Sequence, residues 1–448
     1  MNKRYLFTLY ILLGALCLMI DAFYNGYPLI YSDTGTYLAS GFQLETPVDR
    51  PITYGLFIKL ASFNGYTLWT VIFFQSLILS CLIFMLLKET AGAKSFILNG
   101  LLLVLSLCLL TGVSCSSCQL LADIFTPIAL LSLLLILIGN LPKIIRIGLY
   151  IMYFIAIAMH MAHILLFSLL LIVTYLIKKW LFQQDQKKLI RIRITVMLLL
   201  TISASFTMGS AISKSKDVFM MGAMVEQGIT KKYLDEYCGY RHYKLCAYKD
   251  SLPKTLNAFV WDSASAFYRT GGWSVENRKE FNDIILSTYT KPKYIWLHIT
   301  TSLNATLKQL VSFNIADGNG KFLEGTLPFE RIQKYVPGDL KQYSQSKQNE
   351  LGLSTANIWN KLYNLVVLFS SLLLLLLVIV KKQKLNGNFI PILVICLICI
   401  LLSDWDVATF SCVADRFGCK IMWLIPFLLA VGLFKAYSPT LSESKNNS

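Results

Sequence analysis

The sequence predicts an all-α polytopic membrane protein, and its composition, length and apolar runs support this prediction. Of its 448 residues, 55% are hydrophobic and 15% are charged, with a mean hydropathy of +0.58. Soluble domains carry about 25% charged residues, so a single soluble globule is excluded. Because a spanning helix needs about 20 apolar residues, the length accommodates about ten transmembrane helices and a polar domain.

Ten apolar runs with polar or charged flanks define the predicted spans. They cover residues 5–24, 67–87, 96–112, 124–140, 147–159, 164–177, 194–213, 361–380, 389–403 and 420–434. The fifth and sixth runs are short, so we expect them to be tilted and kinked, or to form one broken pair that enters from a single side. No small-residue cleavage site follows the first run, which predicts an uncleaved span rather than a signal peptide.

The distribution of lysine and arginine predicts the orientation of these spans. With a cytoplasmic amino terminus, the inner segments carry 17 of these residues and the short outer loops carry four. The positive-inside rule requires an asymmetry of this kind. The net charge of +16 therefore has a topological explanation, and nucleic acid is not an expected partner.

Polar segments between the spans divide the chain into three parts. We expect an N-terminal transmembrane module over 1–213 with a long first periplasmic loop at 25–65, a periplasmic domain over 214–360 between the seventh and eighth spans, and C-terminal transmembrane helices with a cytoplasmic tail over 361–448. Within the first loop, the stretches 34–42 and 52–62 have helical spacing, and the proline-bearing segment 47–51 separates them.

Cysteine usage agrees with this orientation. Six of the eleven cysteines form close pairs in outer segments: Cys115 with Cys118, Cys238 with Cys246, and Cys412 with Cys419. Pairing on the outer side fits an oxidising compartment such as the bacterial periplasm. We expect a disulfide between Cys238 and Cys246. For the other two pairs the sequence does not decide between a disulfide and free thiols, because a Cys-x-x-Cys turn often cannot reach bridge geometry.

Ionisable residues collect at the outer ends of the predicted spans. They are Asp21, Asp33, Glu45, Asp49, Arg50, Asp123, His160, His163, Asp404, Asp406, Asp415 and Arg416. Charges at this depth are costly and are retained mainly where they line a polar cavity. Their convergence from five loops predicts one outward-facing site, and the alternative is that each residue separately faces water at the headgroups.

The first loop contains the two most informative motifs. Asp33 and Tyr37 are four residues apart, and this spacing puts them on one helix face directly after the first span. Asp49 and Arg50 then precede Pro51 at the entry to the second short helix. The loop thus presents two carboxylates and one guanidinium group beside two predicted interfacial helices.

With these motifs the sequence resembles the GT-C class of membrane glycosyltransferases. Enzymes of that class have a short cytoplasmic amino terminus, a first span and a long outer loop with two interfacial helices. Their loop carries a catalytic aspartate, often in an Asp-x-x-x-Tyr pattern, and an Arg-Pro stretch commonly follows. The resemblance implies that Asp33 or Asp49 is catalytic.

The resemblance continues in short patches over most of the chain. They are Leu121-Ala122-Asp123-Ile124-Phe125, where Ala122 replaces the proline of a Pro-Asp pair, His160-Met161-Ala162-His163, Ala414-Asp415-Arg416-Phe417, and the stretch 238–273. The last three are similar to segments of a poorly characterised bacterial branch of such membrane proteins. The patches imply the fold more than the substrate.

The resemblance implies transfer of a sugar from a polyprenyl-phosphate donor to an envelope glycan or lipid acceptor in the inner membrane. Asp33 or Asp49 would accept the proton of the acceptor hydroxyl. Tyr37, Arg50, Asp123, His160, His163, Asp415 and Arg416 would bind substrate, with the arginines or a protonated histidine on the leaving phosphate. The sequence leaves open whether a divalent cation is a cofactor, and it contains no P-loop, GxGxxG or GxSxG motif.

Two other functions fit the same residues. One is an envelope-modifying transferase that moves an acyl or phosphoglycosyl group, and the other is a lipid or polysaccharide carrier. A carrier is expected to have charges at the membrane midplane and two repeated halves. Here the charges lie at one interface and no repeat is visible, which favours an enzyme.

Overall fold

The computed structural model describes residues 3–91, 96–207, 211–353, 357–385 and 387–437. Within these ranges the chain is helical and contains no β-strand, with an isolated bridge between Leu29 and Gln119. The predicted all-α class is confirmed. Residues 438–448, at the end of the predicted cytoplasmic tail, lie outside the described residues.

The first eleven helices form the N-terminal part of the molecule. They are α1 (Lys3–Leu18), α2 (Ile20–Asn25), α3 (Thr34–Gln43), α4 (Thr53–Ala61), α5 (Trp69–Ala91), α6 (Phe96–Leu110), α7 (Val113–Cys118), α8 (Phe125–Ile138), α9 (Lys143–Ala158), α10 (Ala162–Leu181) and α11 (Lys187–Thr207). A 3-10 turn at Ala122–Ile124 leads into α8.

The remaining helices are mostly short until the last part of the chain. They are α12 (Ala211–Glu226), α13 (Ile229–Tyr237), α14 (Leu256–Trp261), α15 (Ala266–Thr270), α16 (Val275–Tyr289), α17 (Pro292–Gln309), α18 (Leu327–Tyr335), α19 (Leu340–Ser344), α20 (Lys347–Leu351), α21 (Asn357–Val380), α22 (Lys382–Leu385), α23 (Phe389–Phe410), α24 (Asp415–Met422) and α25 (Leu424–Tyr437). Two further 3-10 segments cover Lys244–Ser251 and Pro337–Asp339.

Six segments of the described chain are long and apolar enough to cross a membrane. They are Trp69–Thr90, Ala162–Leu181, Lys187–Thr207, Ile358–Val380, Phe389–Phe410 and Asp415–Tyr437. Three further helices are apolar but shorter than these six segments, at Tyr5–Leu18, Asn99–Leu110 and Ala122–Ile138. The membrane class is therefore confirmed. Within the described residues, each of the ten predicted runs overlaps helical structure, but several of these helices are shorter than a full span.

Helix α8 lies at the centre of the bundle. Residues 125–137 are buried on every side of the helix, and α8 packs against α5 and α9. A helix that is apolar all round is stable when neighbouring helices surround it. Its amino-terminal end carries the 3-10 turn with Asp123, so the central helix also positions one charged residue of the predicted site.

The first loop folds as the predicted pair of short helices, α3 and α4. They cross at Gly41 and Gly55, where a Cβ atom on Gly41 would overlap the carbonyl oxygen of Gly55. Only glycine permits backbones to approach so closely. The tight crossing fixes the position of Asp33 at the start of α3 relative to Arg50, just before α4.

The polar segment 214–360 contributes to two separate cores. Buried residues between 218 and 294 form a small core of their own, whereas Phe313, Ile332, Val336 and Tyr343 belong to the large core of the helical bundle. Asp339 fastens this second part to the first loop, since its Oδ2 accepts hydrogen bonds from Tyr27 Oη at 2.9 Å and from the Leu68 amide at 2.8 Å. The part of this segment after about residue 310 therefore packs against the first loop.

Candidate functional site

Two arginine side chains from different parts of the chain meet at Asp33. Arg50 Nη2 lies 3.2 Å from Asp33 Oδ1, and Arg416 Nη1 lies 3.2 Å from Asp33 Oδ2. Asp33 precedes α3, Arg50 lies before α4, and Arg416 is in the first turn of α24. Each carboxylate oxygen of Asp33 thus faces one guanidinium group. The Asp33 side chain keeps 24% of its surface exposed, so the group is reachable from outside.

Further contacts fix both arginines. Asp49 Oδ2 accepts hydrogen bonds from Arg50 Nε at 2.9 Å and Nη2 at 2.6 Å. Arg50 Cζ lies 4.9 Å from the ring centroid of Tyr37, and Arg416 Cζ lies 4.6 Å from that of Tyr31. Both distances suit cation–π attraction. The guanidinium groups are therefore held in place before any ligand binds.

The two arginines set the ionisation of Asp33. Burial alone would raise the pKa of Asp33, but the positive charges of Arg50 and Arg416 outweigh burial and hold that pKa below its ordinary value. For Arg50, burial acts to lower the pKa, whereas Asp33 and Asp49 raise it well above its ordinary value. The group at the centre of the cluster is therefore a carboxylate clamped between permanent cations.

A second ion pair extends the cluster into the helical bundle. Lys420 Nζ lies 2.8 Å from Asp123 Oδ1, and the exposed side-chain fractions are 3% for Lys420 and 10% for Asp123. Lys420 is one of the four basic residues that the lysine and arginine count assigns to the short outer loops, and the sequence predicts no further role for it. Its spacing from Arg416 could have revealed it, because residues four apart lie on one face of a helix, and α24 presents both cations on that face.

The two predicted histidines have different surroundings. The Nε2 atom of His163 lies 2.8 Å from Thr126 Oγ1, and its Nδ1 lies 2.8 Å from Ala156 O. Both ring nitrogens of His163 are occupied, so this ring offers none to a ligand. His160 is partly buried, and burial lowers its pKa to about 4 against the opposing charge of Asp123. The protonated His160 that was expected on a phosphate is therefore disfavoured at neutral pH.

Asp415, next to Arg416 in the sequence, binds, through Asn314, the segment that follows α17. Asp415 accepts hydrogen bonds from the backbone N and from Nδ2 of Asn314, both at 3.1 Å. Arg416 points instead to Asp33, and its backbone N donates to Asp317 Oδ2 at 3.2 Å. The substrate-binding role expected for Asp415 thus has a competing explanation as an anchor between α24 and the segment before it.

Four other predicted interface acids, Asp21, Glu45, Asp404 and Asp406, make no ion pair with the cations of the cluster. Asp21 lies in α2, and its backbone N donates to Ser114 Oγ at 3.1 Å. Glu45 is exposed on the first loop. Asp404 and Asp406 on α23 are buried, and both oxygens of Asp404 and one of Asp406 have no hydrogen-bond partner. These two residues therefore do not anchor the end of a span at the headgroups, which was the alternative for them.

The cysteines divide into one bridge and free thiols. Cys238 and Cys246 are joined by a disulfide in the small core region. Cys115, Cys118, Cys412 and Cys419 are free. Cys118 Sγ instead contacts the Leu18 carbonyl oxygen at 3.4 Å, because its helical turn directs it toward α1 rather than toward Cys115. The two further bridges considered from the sequence are absent among the described residues.

The described residues include no group of three or more His, Cys, Asp or Glu side chains that could hold a metal ion. The acids of the cluster are engaged by cations instead. Three carboxylates (Asp33, Asp49 and Asp123) and three cations (Arg50, Arg416 and Lys420) form a charge-balanced set. Such a set can exchange an internal carboxylate for an external anion without leaving an arginine unpaired.

Comparisons with protein-family models, with curated proteins and with solved structures gave no match. Fold and site together define an α-helical membrane protein that carries a partly exposed cluster of ion pairs. The cluster joins the first loop to the last apolar segment. Its chemistry is the basis for any functional assignment.

Proposed function

We propose that this protein is a glycosyltransferase of the GT-C type in the bacterial inner membrane. It has ten spans, with 214–360 and the charged cluster on the periplasmic side. Its donor is a sugar linked to a polyprenyl phosphate, and its acceptor is an envelope glycan or lipid. The observation that carries the proposal is the clamp of two arginines on Asp33.

The residue types of the clamp match the needs of this reaction. The acceptor hydroxyl oxygen attacks the anomeric carbon, the bond between that carbon and the phosphate oxygen breaks, and Asp33 takes the hydroxyl proton. The leaving group is a polyprenyl phosphate with increased negative charge. Arg416 and Arg50 supply guanidinium groups suited to phosphate oxygens. Proton acceptor and anion site therefore stand side by side.

The ion pairs also suggest how donor binding activates the base. Without a ligand, the arginines lower the pKa of Asp33 and make it a weak proton acceptor. A phosphate anion competes with Asp33 for the same guanidinium groups. When it draws Arg416 away, the pKa of Asp33 rises, because a nearby positive charge has been neutralised. The carboxylate becomes a stronger base when a donor is present.

The experiment is a donor screen with the full-length protein in nanodiscs. Polyprenyl-phosphate sugars are supplied with an envelope lipid extract as acceptor, and released polyprenyl phosphate is measured. We expect release from at least one donor, and loss of release with Arg416→Gln. Asp235→Asn, which changes an exposed acid of α13 paired with Lys231, is the matched control and should keep full release.

The outcomes separate the competing functions. Transfer of an acyl or phosphoglycosyl group to the acceptor, with no release of polyprenyl phosphate, would replace the proposal by the other transferase. Movement of intact lipid-linked sugar across the bilayer of reconstituted vesicles, without bond cleavage, would replace the glycosyltransferase proposal by a carrier. Absence of all three activities with every donor would remove the enzyme assignment.

A further inference from the structure

The face of α17 that packs inward is polar. Its buried residues are Tyr294, His298, Ser302, Thr306 and Gln309. They recur at three- and four-residue steps, so they form one stripe along the helix. In a water-soluble domain the buried stripe of a surface helix is apolar. Helix α17 therefore has the reverse of the usual arrangement.

The outward face of α17 is apolar. Trp296, Ile299, Leu303, Leu307 and the following Val311 are each between 53% and 72% exposed. They are spaced by three and four residues and form a second stripe on the side away from the polar one. Single exposed apolar residues are ordinary, but a continuous stripe of large ones marks a surface with a partner.

The polar stripe is used to hold the outer end of a candidate span. Ser302 Oγ lies 2.6 Å from Thr409 Oγ1 near the end of α23. Gln309 Nε2 donates to Ala414 O at 3.0 Å, and its Oε1 accepts from Ala414 N at 2.9 Å. Helix α17 thus lies against the end of α23, and its polar groups satisfy backbone groups where the span terminates.

We propose that the apolar stripe of α17 contacts the lipid of the outer leaflet, so that this helix is half immersed in the bilayer. The helix is attached to a span that itself exposes Leu397 and Leu401, positions suited to acyl chains. Because α17 packs against α23, its exposed apolar stripe is held beside a candidate span. Part of the segment 214–360 is then a membrane-contacting element rather than a water-surrounded one.

The flanks of the stripe favour a lipid partner of stated chemistry. Lys308 in the last turn of α17 is exposed, whereas Lys293 in its first turn is exposed but lies 2.7 Å from Glu236 Oε2 in an ion pair. A basic side chain beside an apolar helix face, as at Lys308, is attracted to anionic headgroups. Trp296 is a residue type enriched at membrane interfaces. With 18 residues, α17 is about 27 Å long, but its polar buried face excludes a lipid-surrounded span. The partner is therefore the interface of a bilayer with anionic lipid.

The test uses a benzophenone amino acid in the full-length protein, reconstituted in nanodiscs of phosphatidylethanolamine and phosphatidylglycerol. Separate variants carry it at Trp296 and at Leu303, and the control carries it at Tyr240, which is 84% exposed outside α17. At Trp296 the benzophenone amino acid replaces another large aromatic residue, which is a mild change. This variant therefore keeps the test valid if the Leu303 variant misfolds. After irradiation, intact-mass spectrometry measures protein–lipid adducts.

We expect lipid adducts several-fold more abundant at Trp296 and Leu303 than at Tyr240. Equal yields at all three positions would overturn the proposal, since α17 would then have no special access to lipid. Crosslinks between two copies of the chain at Trp296 and Leu303, in place of lipid adducts, would also overturn it and assign the stripe to a protein interface. Neither result depends on the activity of the charged cluster.

Discussion

Asp33 and Arg416 are 383 residues apart in the sequence, and their side chains meet at 3.2 Å. The contact joins the first loop, built on α3, to α24 in the last apolar segment. Arg50 occupies the other oxygen of the same carboxylate. The site is thus assembled only when the two ends of the chain pack together, and substitutions in either end should affect the same function.

The buried pair of Lys420 and Asp123 should be sensitive to removal of one partner. Lys420→Met leaves the Asp123 carboxylate buried beside an apolar side chain, which typically costs about 3–5 kcal/mol. We expect a large fall in Tm, measured by scanning calorimetry of the purified protein. The double variant Lys420→Met with Asp123→Asn should recover part of the loss, because no charge remains uncompensated.

The matched control for this pair is Lys231→Met, which removes a cation from an exposed ion pair with Asp235. Exposed pairs contribute little because water and salt screen them, so its Tm should equal that of the unmodified protein. A Lys420→Met variant as stable as Lys231→Met would contradict a buried charge pair in the cluster.

His160 should make the protein less stable in mild acid. Its pKa in the folded protein is about 4, against an ordinary value of 6.5, so between these values the unfolded chain binds a proton that the folded chain does not. The free energy of unfolding therefore decreases as pH falls from about 6.5 to about 4. His160→Asn should reduce the slope of this part of the Tm–pH curve, and His298, whose pKa burial also lowers to about 4, should maintain the remainder.

Asparagine at 160 offers an oxygen that can accept the Ala162 backbone hydrogen bond now made to His160 Nδ1 at 3.2 Å. The substitution thus tests the effect of protonating the imidazole, not the effect of losing the hydrogen bond from Ala162. His242→Gln, at an exposed position, is the control and should leave the curve unchanged. An identical acid slope in His160→Asn and in the unmodified protein would refute the assignment to this imidazole.

The positive-inside asymmetry predicts opposite compartments for two reporter positions. A fusion at Lys187, the first residue of α11, should report the cytoplasm, and a fusion at Lys249, in the 3-10 segment Lys244–Ser251, should report the periplasm. Alkaline phosphatase and green fluorescent protein provide the two readouts. Both fusions active in one compartment would overturn the proposed topology and the outer location of the cluster.

Cys238 and Cys246 should be recovered as an intramolecular disulfide. They close a short loop with a sequence separation of 8, and the chain-entropy relation gives a stabilisation of about 2–3 kcal/mol for a loop of this length. Mass spectrometry of non-reduced peptides after blocking free thiols measures the bridge. Recovery of both as blocked thiols would argue against an oxidising compartment, whereas Cys412 and Cys419 should be blocked in either case.

Several parts of the site could be predicted from the sequence for local reasons. Asp123 and Arg416 stand beside the starts of apolar runs, and Asp33 and Arg50 lie in the loop between the first two runs, which puts all four on one side of the predicted membrane. The helical spacing of the first loop likewise predicted α3 and α4. Depth and local spacing are properties of neighbouring residues, and these can be read without a fold.

Partner choice could not be predicted, because it depends on packing between distant elements. Asp415 and Arg416 are adjacent in sequence, yet on α24 their side chains diverge by about 100°, so one binds Asn314 and the other binds Asp33. The polar composition of 214–360 predicted a separate domain. Its division between two cores arises from long-range contacts such as that of Asp339 with Tyr27, which composition does not encode.

The decisive prediction concerns the base. Asp33→Asn should reduce sugar transfer by about 10²–10⁴-fold, the usual loss when a well-placed general base is removed. An amide accepts no proton at neutral pH, although its single oxygen can still accept a hydrogen bond from one of the two arginines, Arg50 or Arg416. The measurement is release of polyprenyl phosphate by purified protein in nanodiscs, at equal protein amount and after a Tm measurement has established that the variant is folded.

Asp49→Asn is the matched control, because Asp49 contacts the same Arg50 but not Arg416. The Asp49 side chain is only 6% exposed, whereas that of Asp33 is 24% exposed, so an acceptor hydroxyl reaches Asp33 more easily. Asp49→Asn should therefore lower the rate less than Asp33→Asn. If Asp49→Asn alone is inactive, the two roles are exchanged. Full transfer by both folded variants would mean that the first loop is not catalytic, and the glycosyltransferase proposal would lose its main support.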